Sequence, residues 1–118
     1  MSDRSDLAKL ESILEYINDI NKIVERHNTI ENALLDFEGQ YAVLMCIQQI
    51  GELVKKIENS EYQSKIPVKN IVGFRNVITH NYSGINFQVT EKIISENIPE
   101  LKNTIVEILK EKSLKENN

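Results

Sequence analysis

The sequence has a single cysteine, Cys46, among its 118 residues. No disulfide and no cysteine-based zinc site can therefore form within the chain, and this scarcity predicts a cytoplasmic protein. The apolar segment around it, "AVLMCIQQI", predicts that Cys46 is a small buried hydrophobe rather than a nucleophile. No apolar run approaches the ~20 residues that span a bilayer, and the polar start "MSDRSDLAK" does not resemble a signal peptide.

Histidine is nearly as scarce, with only His27 and His80, and no HxxxH or HExxH pattern joins them. The sequence therefore predicts no metal site and no cofactor. It also contains no Ser/His/Asp arrangement, no P-loop and no GxGxxG. The context "ERHNT" predicts that His27 caps the end of the first helix.

Acidic residues are missing from one long stretch of an otherwise acidic chain. The net charge is −4, which disfavours a protein that coats nucleic acid non-specifically. Between Tyr62 and Thr90, however, there is no Asp or Glu, while Lys65, Lys69 and Arg75 are positive. The stretch predicts a locally positive surface suited to a compact anion such as phosphate. Chance is the alternative in so small a chain.

Apolar residues recur at helical spacing nearly everywhere, with no repeat or flexible linker. The pattern predicts long helices over about 4–27, 38–57 and 68–80, and a last helix opened by Pro99. It also predicts a short helix at "TIENALLDF", another capped by Asn86, and a turn-rich connection at "ENSEYQSKIP". We therefore predict one domain over 1–118, an all-α up-and-down bundle of four to five helices, with termini frayed over about 1–5 and 111–118.

Two helices carry features beyond this pattern. The helix over 38–57 is apolar on two sides, which places it at the centre of the bundle or against a second subunit. Gly73 lies inside the helix over 68–80, where glycine is unfavourable, and this predicts a close approach of another helix.

The segment "GFRNVITHNYSG" brings Arg75, His80 and Tyr82 together where a helix ends. Five residues separate Arg75 from His80, about 140° around a helix, and a long arginine can bridge that angle. A left-handed Asn81 would fold Tyr82 back towards the imidazole. Arginine suits a phosphate and its transition-state charge, and histidine suits proton transfer. The plainer alternative is a surface ion pair or a helix cap.

The same segment resembles a known motif. "RNVITHNY" is similar to the Arg-x-x-x-x-His-x-Tyr signature of HEPN-domain proteins, specifically the HepT-like toxins of bacteria and archaea. "AVLMCIQQIGELVKKI", "IPVKNIVGFRN" and "NIPELKNTI" resemble the family's flanking helices, so the similarity covers about residues 5–110 in order. One departure is Val68, where many relatives have Trp, and this chain has no Trp at all.

The resemblance implies a HEPN-like bundle that forms two-fold homodimers with a cleft at the interface. It implies a metal-independent endoribonuclease in which Arg75 and His80 are catalytic and Asn76 supports them or contacts the RNA. It further implies that Tyr82 receives AMP from a cognate MntA-type nucleotidyltransferase antitoxin, as in a type VII-like toxin–antitoxin system. The alternatives are a non-catalytic helical dimer that binds nucleotide or docks a nucleotidyltransferase, and a helical bundle with no site.

Overall fold

The computed structural model describes residues 2–79 and 86–117, with the backbone alone at 2–3, 75–79 and 117. These residues form seven α-helices: α1 Ser2–Arg26, α2 Ile30–Leu35, α3 Phe37–Lys55, α4 Ser60–Lys65, α5 Val68–Thr79, α6 Phe87–Lys92 and α7 Ile98–Asn117. A π-helical turn, Ile93–Asn97, joins α6 to α7. No strand occurs in the described ranges. The all-α bundle is therefore confirmed, with α1, α3, α5 and α7 as its main helices and three short helices in the connections.

The helix α3 is the centre of the bundle, because α1 and α5 both pack along it. The last helix, α7, packs against α1 and against the π-helical turn. Burial of aliphatic side chains from these helices provides the main favourable free energy of folding. The buried aliphatic residues of the three longest helices are Leu10, Ile13, Ile17 and Ile20 in α1, Val43, Ile47, Ile50 and Val54 in α3, and Ile98, Leu101, Ile105 and Ile108 in α7.

Four helices begin at a polar side chain that accepts a hydrogen bond from a backbone N–H of the first turn. These side chains are Thr29 for α2, Asp36 for α3, Asn59 for α4 and Asn86 for α6. Such caps satisfy donors that have no partner within the helix. The predicted cap at Asn86 is confirmed, since its side chain accepts from the N–H of Val89 at 3.2 Å.

The helix α4 lies where the sequence pattern predicted only a turn-rich connection. Asp6 of α1 fixes the residues that lead into α4. Its carboxylate is 0 % exposed and accepts hydrogen bonds from the backbone N–H groups of Glu58 and Asn59. The ammonium of Lys9 donates to the same carboxylate and to the carbonyl of Lys56. A tertiary contact therefore orders this segment, and no local pattern indicates it.

The chain from α6 through the π-helical turn into α7 is one continuous helix. The N–H of Ile98 donates to the carbonyl of Ile93, five residues back, as in a π-helix. The wider turn directly precedes Pro99, whose ring would clash with the carbonyl four residues back in a regular helix. Pro99 is thus near the start of α7, as predicted, but no break precedes it. Backbone helix extends from Ser2 and as far as Asn117, through most of the segments expected to be frayed.

Close helix packing occurs at other glycines than the one predicted. No described atom lies within 4 Å of a Cβ built on Gly73. A Cβ on Gly51 would lie 3.6 Å from the carbonyl oxygen of Ile71, so the close approach of α3 and α5 is at Gly51. A Cβ on Gly39 would lie only 2.5 Å from the carbonyl oxygen of Ala33, which excludes any larger residue there without a backbone shift.

His27 ends α1 and ties it to the start of α3. Asn28 follows in a left-handed conformation (φ 72°), which ends the helix close to the predicted residue 27. The imidazole Nδ1 donates to the carbonyl of Ile23 at 2.8 Å, which confirms the predicted cap, and Nε2 lies 3.1 Å from Asp36 Oδ2. Both ring nitrogens face acceptors, and only the imidazolium donates from both. The carbonyl of Ile23 first, and then Asp36, therefore raise the pKa of His27.

We expect the stability of the protein to depend on pH through this pair. Because the folded pKa of His27 is raised above its ordinary 6.5, its contribution is complete below 6.5 and is lost as pH rises through the folded value. The N–H of Gly39 and then His27 lower the pKa of Asp36 from 3.8, so its contribution is lost as pH falls through the folded value. Stability from the pair is thus greatest between about pH 4 and 6.5.

Urea unfolding at pH 5.5 and 8.5 measures this effect. The midpoint of the wild type should fall relative to that of His27→Gln as pH rises, because the variant cannot titrate at this position. Equal pH dependence in the two proteins would contradict the assignment.

Candidate functional site

The motif identified in the sequence begins on α5, and the N-terminal half of this helix is anchored in the core. The N–H of Ile71 donates to the carbonyl of Pro67 at 3.1 Å, which starts the helix where the proline predicted it. Ile71 is buried and Phe74 is half-buried against the same core. These two residues fix the direction in which the rest of the helix continues.

The helices α3 and α5 are antiparallel. They touch where Gly51, near the end of α3, meets Ile71, near the start of α5. Because α5 packs along α3 beyond this point, it must continue back towards the start of α3. The eight steps from Ile71 to Thr79 advance the helix by about 12 Å, so the last described turn of α5 lies at the level of Val43.

Arg75 and Asn76 lie on this second half of α5. Arg75 is one helical turn beyond the buried Ile71. The structure gives the backbone at both positions and does not describe their side chains. His80 and Tyr82 fall outside the described residues. The convergence of Arg75, His80 and Tyr82 on one spot therefore stays a prediction.

The positive surface predicted over 62–90 is smaller than its charges suggest. Lys65 Nζ lies 2.8 Å from Glu111 Oε2 on α7 and 3.6 Å from Glu61 Oε1. The bond to Glu111 is the main reason that the pKa of Lys65 is raised and that of Glu111 is lowered. Lys65 is the last residue of α4 and lies near the start of α5, whereas Arg75 lies in the second half of α5. It is therefore paired and distant from the motif, and Lys69 and Arg75 are the remaining cations of the stretch.

Cys46 is buried in α3, as its apolar context predicted. Burial raises the pKa of its thiol to about 11, so the reactive thiolate is suppressed near neutral pH. Across the described residues, no three His, Cys, Asp or Glu side chains gather as ligands of a metal ion would. No helix in those ranges is long and apolar enough to cross a membrane.

Comparison with known proteins gives a match over most of the chain. The family model described as "Ribonuclease HepT-like" matches residues 13–108. The chain belongs to the HepT-like ribonuclease family. The match includes all of α3 and α5, and with them the complete Arg-x-x-x-x-His-x-Tyr segment.

Individual HepT-like relatives agree over nearly their full lengths. A Methanocaldococcus jannaschii protein named "Putative RNase MJ1380" is 33 % identical over 111 residues, which cover 89 % of this chain and 97 % of the relative. A second from that organism, "Putative RNase MJ1216", is 34 % identical over 100 % of this chain and 98 % of its own. "Probable ribonuclease HepT" of Thermococcus cleftensis is 34 % identical over 84 % of this chain and 91 % of its own. No solved structure matches the chain.

Proposed function

We propose that this HepT-like protein is an endoribonuclease toxin that cleaves RNA without a metal ion. The observation that carries the proposal is the match of the whole domain to a ribonuclease family whose relatives are named for RNase activity. The motif supplies the chemistry, because "RNVITHNY" combines a phosphate-binding residue with a proton-transfer residue. The place of Arg75 on a helix anchored by Ile71 supports a preorganised site.

In this proposal Arg75 binds the scissile phosphate and stabilises the negative charge that grows in the transition state. His80 takes the proton from the ribose 2′-hydroxyl or gives one to the leaving 5′-oxygen. Attack of the 2′-oxygen on phosphorus forms one P–O bond as the bond to the 5′-oxygen breaks. Asn76, next to Arg75 on α5, supports the pair or contacts the RNA.

A second copy of the chain completes the proposed site. One histidine cannot easily act as base and acid on opposite sides of one phosphorus. A two-fold homodimer supplies a second Arg75 and His80 across the interface. The active protein is thus proposed to be a cytoplasmic homodimer with its cleft between the copies.

Tyr82 is the proposed point of regulation. The phenol would receive AMP from a cognate MntA-type nucleotidyltransferase antitoxin, in a type VII-like toxin–antitoxin system. The bulky anionic nucleotide would then occupy the cleft and exclude the RNA backbone by charge and size.

The direct test is cleavage of a labelled single-stranded RNA by the purified chain in excess EDTA. Intact mass must be measured on the same sample, because each AMP on Tyr82 would add about 329 Da and would explain an inactive preparation. Cleavage by chain of unmodified mass supports the proposal. Complete inactivity of unmodified, folded protein on several RNAs contradicts it.

The second candidate is a non-catalytic helical dimer that binds nucleotide or docks a nucleotidyltransferase. The net charge of −4 favours it, since an acidic body is a poor platform for RNA outside a small cleft. This candidate predicts a stable complex with the transferase and no cleavage by the unmodified chain.

A further inference from the structure

Two adjacent glutamines, Gln48 and Gln49, interrupt the apolar sequence of α3. Both residues are half-buried, and neither side-chain amide forms a hydrogen bond with a described residue. An amide carries two N–H donors and a carbonyl acceptor, and its partial burial without a partner is unfavourable. The two side chains leave the helix about 100° apart, so they face different neighbours.

Gln48 is at the outer edge of the α3–α5 seam, defined here as the line of contact that starts where Gly51 meets Ile71. Around α3, Gln48 lies about 60° from Gly51, on the side opposite the buried Val54. Gln49 lies about 160° from Gly51 and faces away from α5. The seam therefore distinguishes two residues of the same type.

Gln48 and Arg75 lie at nearly the same level along this seam. Gln48 is three residues, about 4.5 Å, before Gly51, and Arg75 is four residues, about 6 Å, beyond Ile71. Because α3 and α5 are antiparallel, these two displacements have the same direction, and the levels differ by about 1.5 Å. Packed helices have axes about 8–10 Å apart, so the backbone of Arg75 lies directly across the seam from Gln48.

The position of Arg75 is also on the outer edge of the seam. Around α5, Phe74 lies about 60° from Ile71 in one direction, and Arg75 lies about 40° from it in the other. Phe74 packs on the core. Position 75 is therefore displaced from Ile71 towards the edge at which Gln48 lies.

The rest of the outer face of α3 is apolar. The side chains of Phe37, Tyr41 and Met45 are 66 %, 67 % and 55 % exposed and follow one another at four-residue steps. Within three residues of Gln48 on α3, Gln49 is the other residue with a strongly polar side chain, and it faces away from α5. A polar contact from α3 at the level of Arg75 therefore comes from Gln48.

We propose that Gln48 is a specificity-determining residue, whose side-chain amide forms hydrogen bonds with the base of the nucleotide that Arg75 holds by its phosphate. The inference rests on the proposed function, in which Arg75 is the phosphate-binding residue. It adds a contact from α3, outside the Arg-x-x-x-x-His-x-Tyr segment, and a preference for one base.

The chemistry of the amide favours a base over a phosphate as its partner. Phosphate oxygens only accept hydrogen bonds, and the guanidinium fork of arginine matches them. The edge of a base presents donors and acceptors side by side, and glutamine characteristically forms a bidentate pair with adenine. Single-stranded RNA exposes these edges to side chains. Adenine is therefore the expected preference.

The cleavage pattern of Gln48→Met tests the inference, with Gln49→Met as the matched control. Methionine keeps an unbranched side chain and a similar helix propensity but removes the amide. The substrate is a labelled single-stranded RNA that contains every dinucleotide step, in EDTA, with protein of confirmed unmodified mass. Gln48→Met should lose roughly 5- to 150-fold in kcat/KM at steps with adenine, the effect of one amide–base pair, and should keep its rate elsewhere. Gln49→Met should cleave every step at the wild-type rate.

A negative charge at the same position gives a second comparison. Gln48→Glu places a carboxylate beside the bound phosphate and should lower kcat/KM at every step, because like charges repel. Gln49→Glu makes the same change on the face away from α5 and should lose less. Circular dichroism should show the same helical content in all four variants, which separates an RNA contact from a loss of fold.

Binding of RNA gives a readout that does not depend on cleavage. The protein is His80→Ala, which keeps Arg75 and Gln48, and the probes are fluorescent oligoadenylate and oligouridylate followed by anisotropy. Adding Gln48→Met should weaken binding of oligoadenylate by roughly 5- to 150-fold and leave oligouridylate unchanged. Adding Gln49→Met should change neither.

The possible failures are distinguishable. Equal cleavage patterns of Gln48→Met and Gln49→Met would overturn the inference and leave the proposed ribonuclease activity intact. A uniform loss at every step in Gln48→Met would also overturn it, because the amide would then contact ribose or phosphate. Binding of oligoadenylate that depends on Gln48, by a wild type that cleaves no RNA, would support the inference and contradict the activity. A folded chain that binds neither probe would contradict both.

Discussion

Replacing His80 by alanine is expected to abolish RNA cleavage. Proton transfer by a positioned side chain contributes about 10²–10⁴-fold to rate, and the other histidine, His27, is held by Ile23 and Asp36 at the end of α1. The initial rate of cleavage of a labelled single-stranded RNA in EDTA, with protein of confirmed unmodified mass, measures this loss. Arg75→Ala should lose a comparable factor, because the phosphate and the transition-state charge would have no fixed cation.

The chain provides a matched control for this experiment. His27 is the other histidine, and its contacts to Ile23 and Asp36 give it a structural role at the end of α1. His27→Gln should therefore cleave RNA at close to the wild-type rate where it is folded. All variants should be purified in the same way, because a contaminating ribonuclease would then cleave the RNA equally in every sample. If His80→Ala retains activity within about tenfold of wild type, His80 is not the proton-transfer residue.

Replacing Asp6 by alanine is expected to destabilise the protein by about 2–5 kcal/mol, because two backbone N–H groups lose a fully buried acceptor and each lost bond costs about 1–3 kcal/mol. The carboxylate that accepts from Glu58 and Asn59 is fully buried, so water does not replace it without a local rearrangement. Urea unfolding measures the loss. Hydrogen exchange should increase first in α4, the helix that these bonds hold in place.

Two further variants separate the role of Asp6 from a general effect on α1. Asp6→Asn keeps one acceptor oxygen and should lose less stability than Asp6→Ala. Glu11→Ala removes an exposed carboxylate from the same helix and should change stability by no more than about 0.5 kcal/mol. A midpoint for Asp6→Ala equal to that of Glu11→Ala would show that the hydrogen bonds to α4 do not stabilise the fold.

Local features of the sequence predicted most of the helices. The apolar period indicates α1, α3 and α5, and Asn86 is recognisable in the sequence as the capping residue of α6. The period could not predict α4. That helix depends on Asp6, which lies 53 positions before Asn59, and no pattern in a short window contains both residues.

The candidate site divides in the same way. Arg75, His80 and Tyr82 were identified from residue chemistry and from resemblance, and the family match supports that resemblance. The charged residues of the acid-free stretch predict a larger positive surface than the structure has. Lys65 pairs with Glu111, which lies 46 positions later in the sequence and outside that stretch. The close approach assigned to Gly73 occurs at Gly51, since only the packing of α3 on α5 decides which glycine faces a neighbour.

The sequence by itself thus determined the all-α class, the order of the main helices and the identity of the motif. These depend on residue type and on spacing within a few turns of helix. The tertiary structure alone decided that α5 runs antiparallel to α3, that Asp6 holds α4, and that Phe37, Tyr41 and Met45 stay exposed beside the motif helix. Each of these depends on which faces of distant helices meet. Apolar residues recur at the same helical spacing on a face that another helix covers and on a face that stays exposed, so the sequence does not distinguish the two.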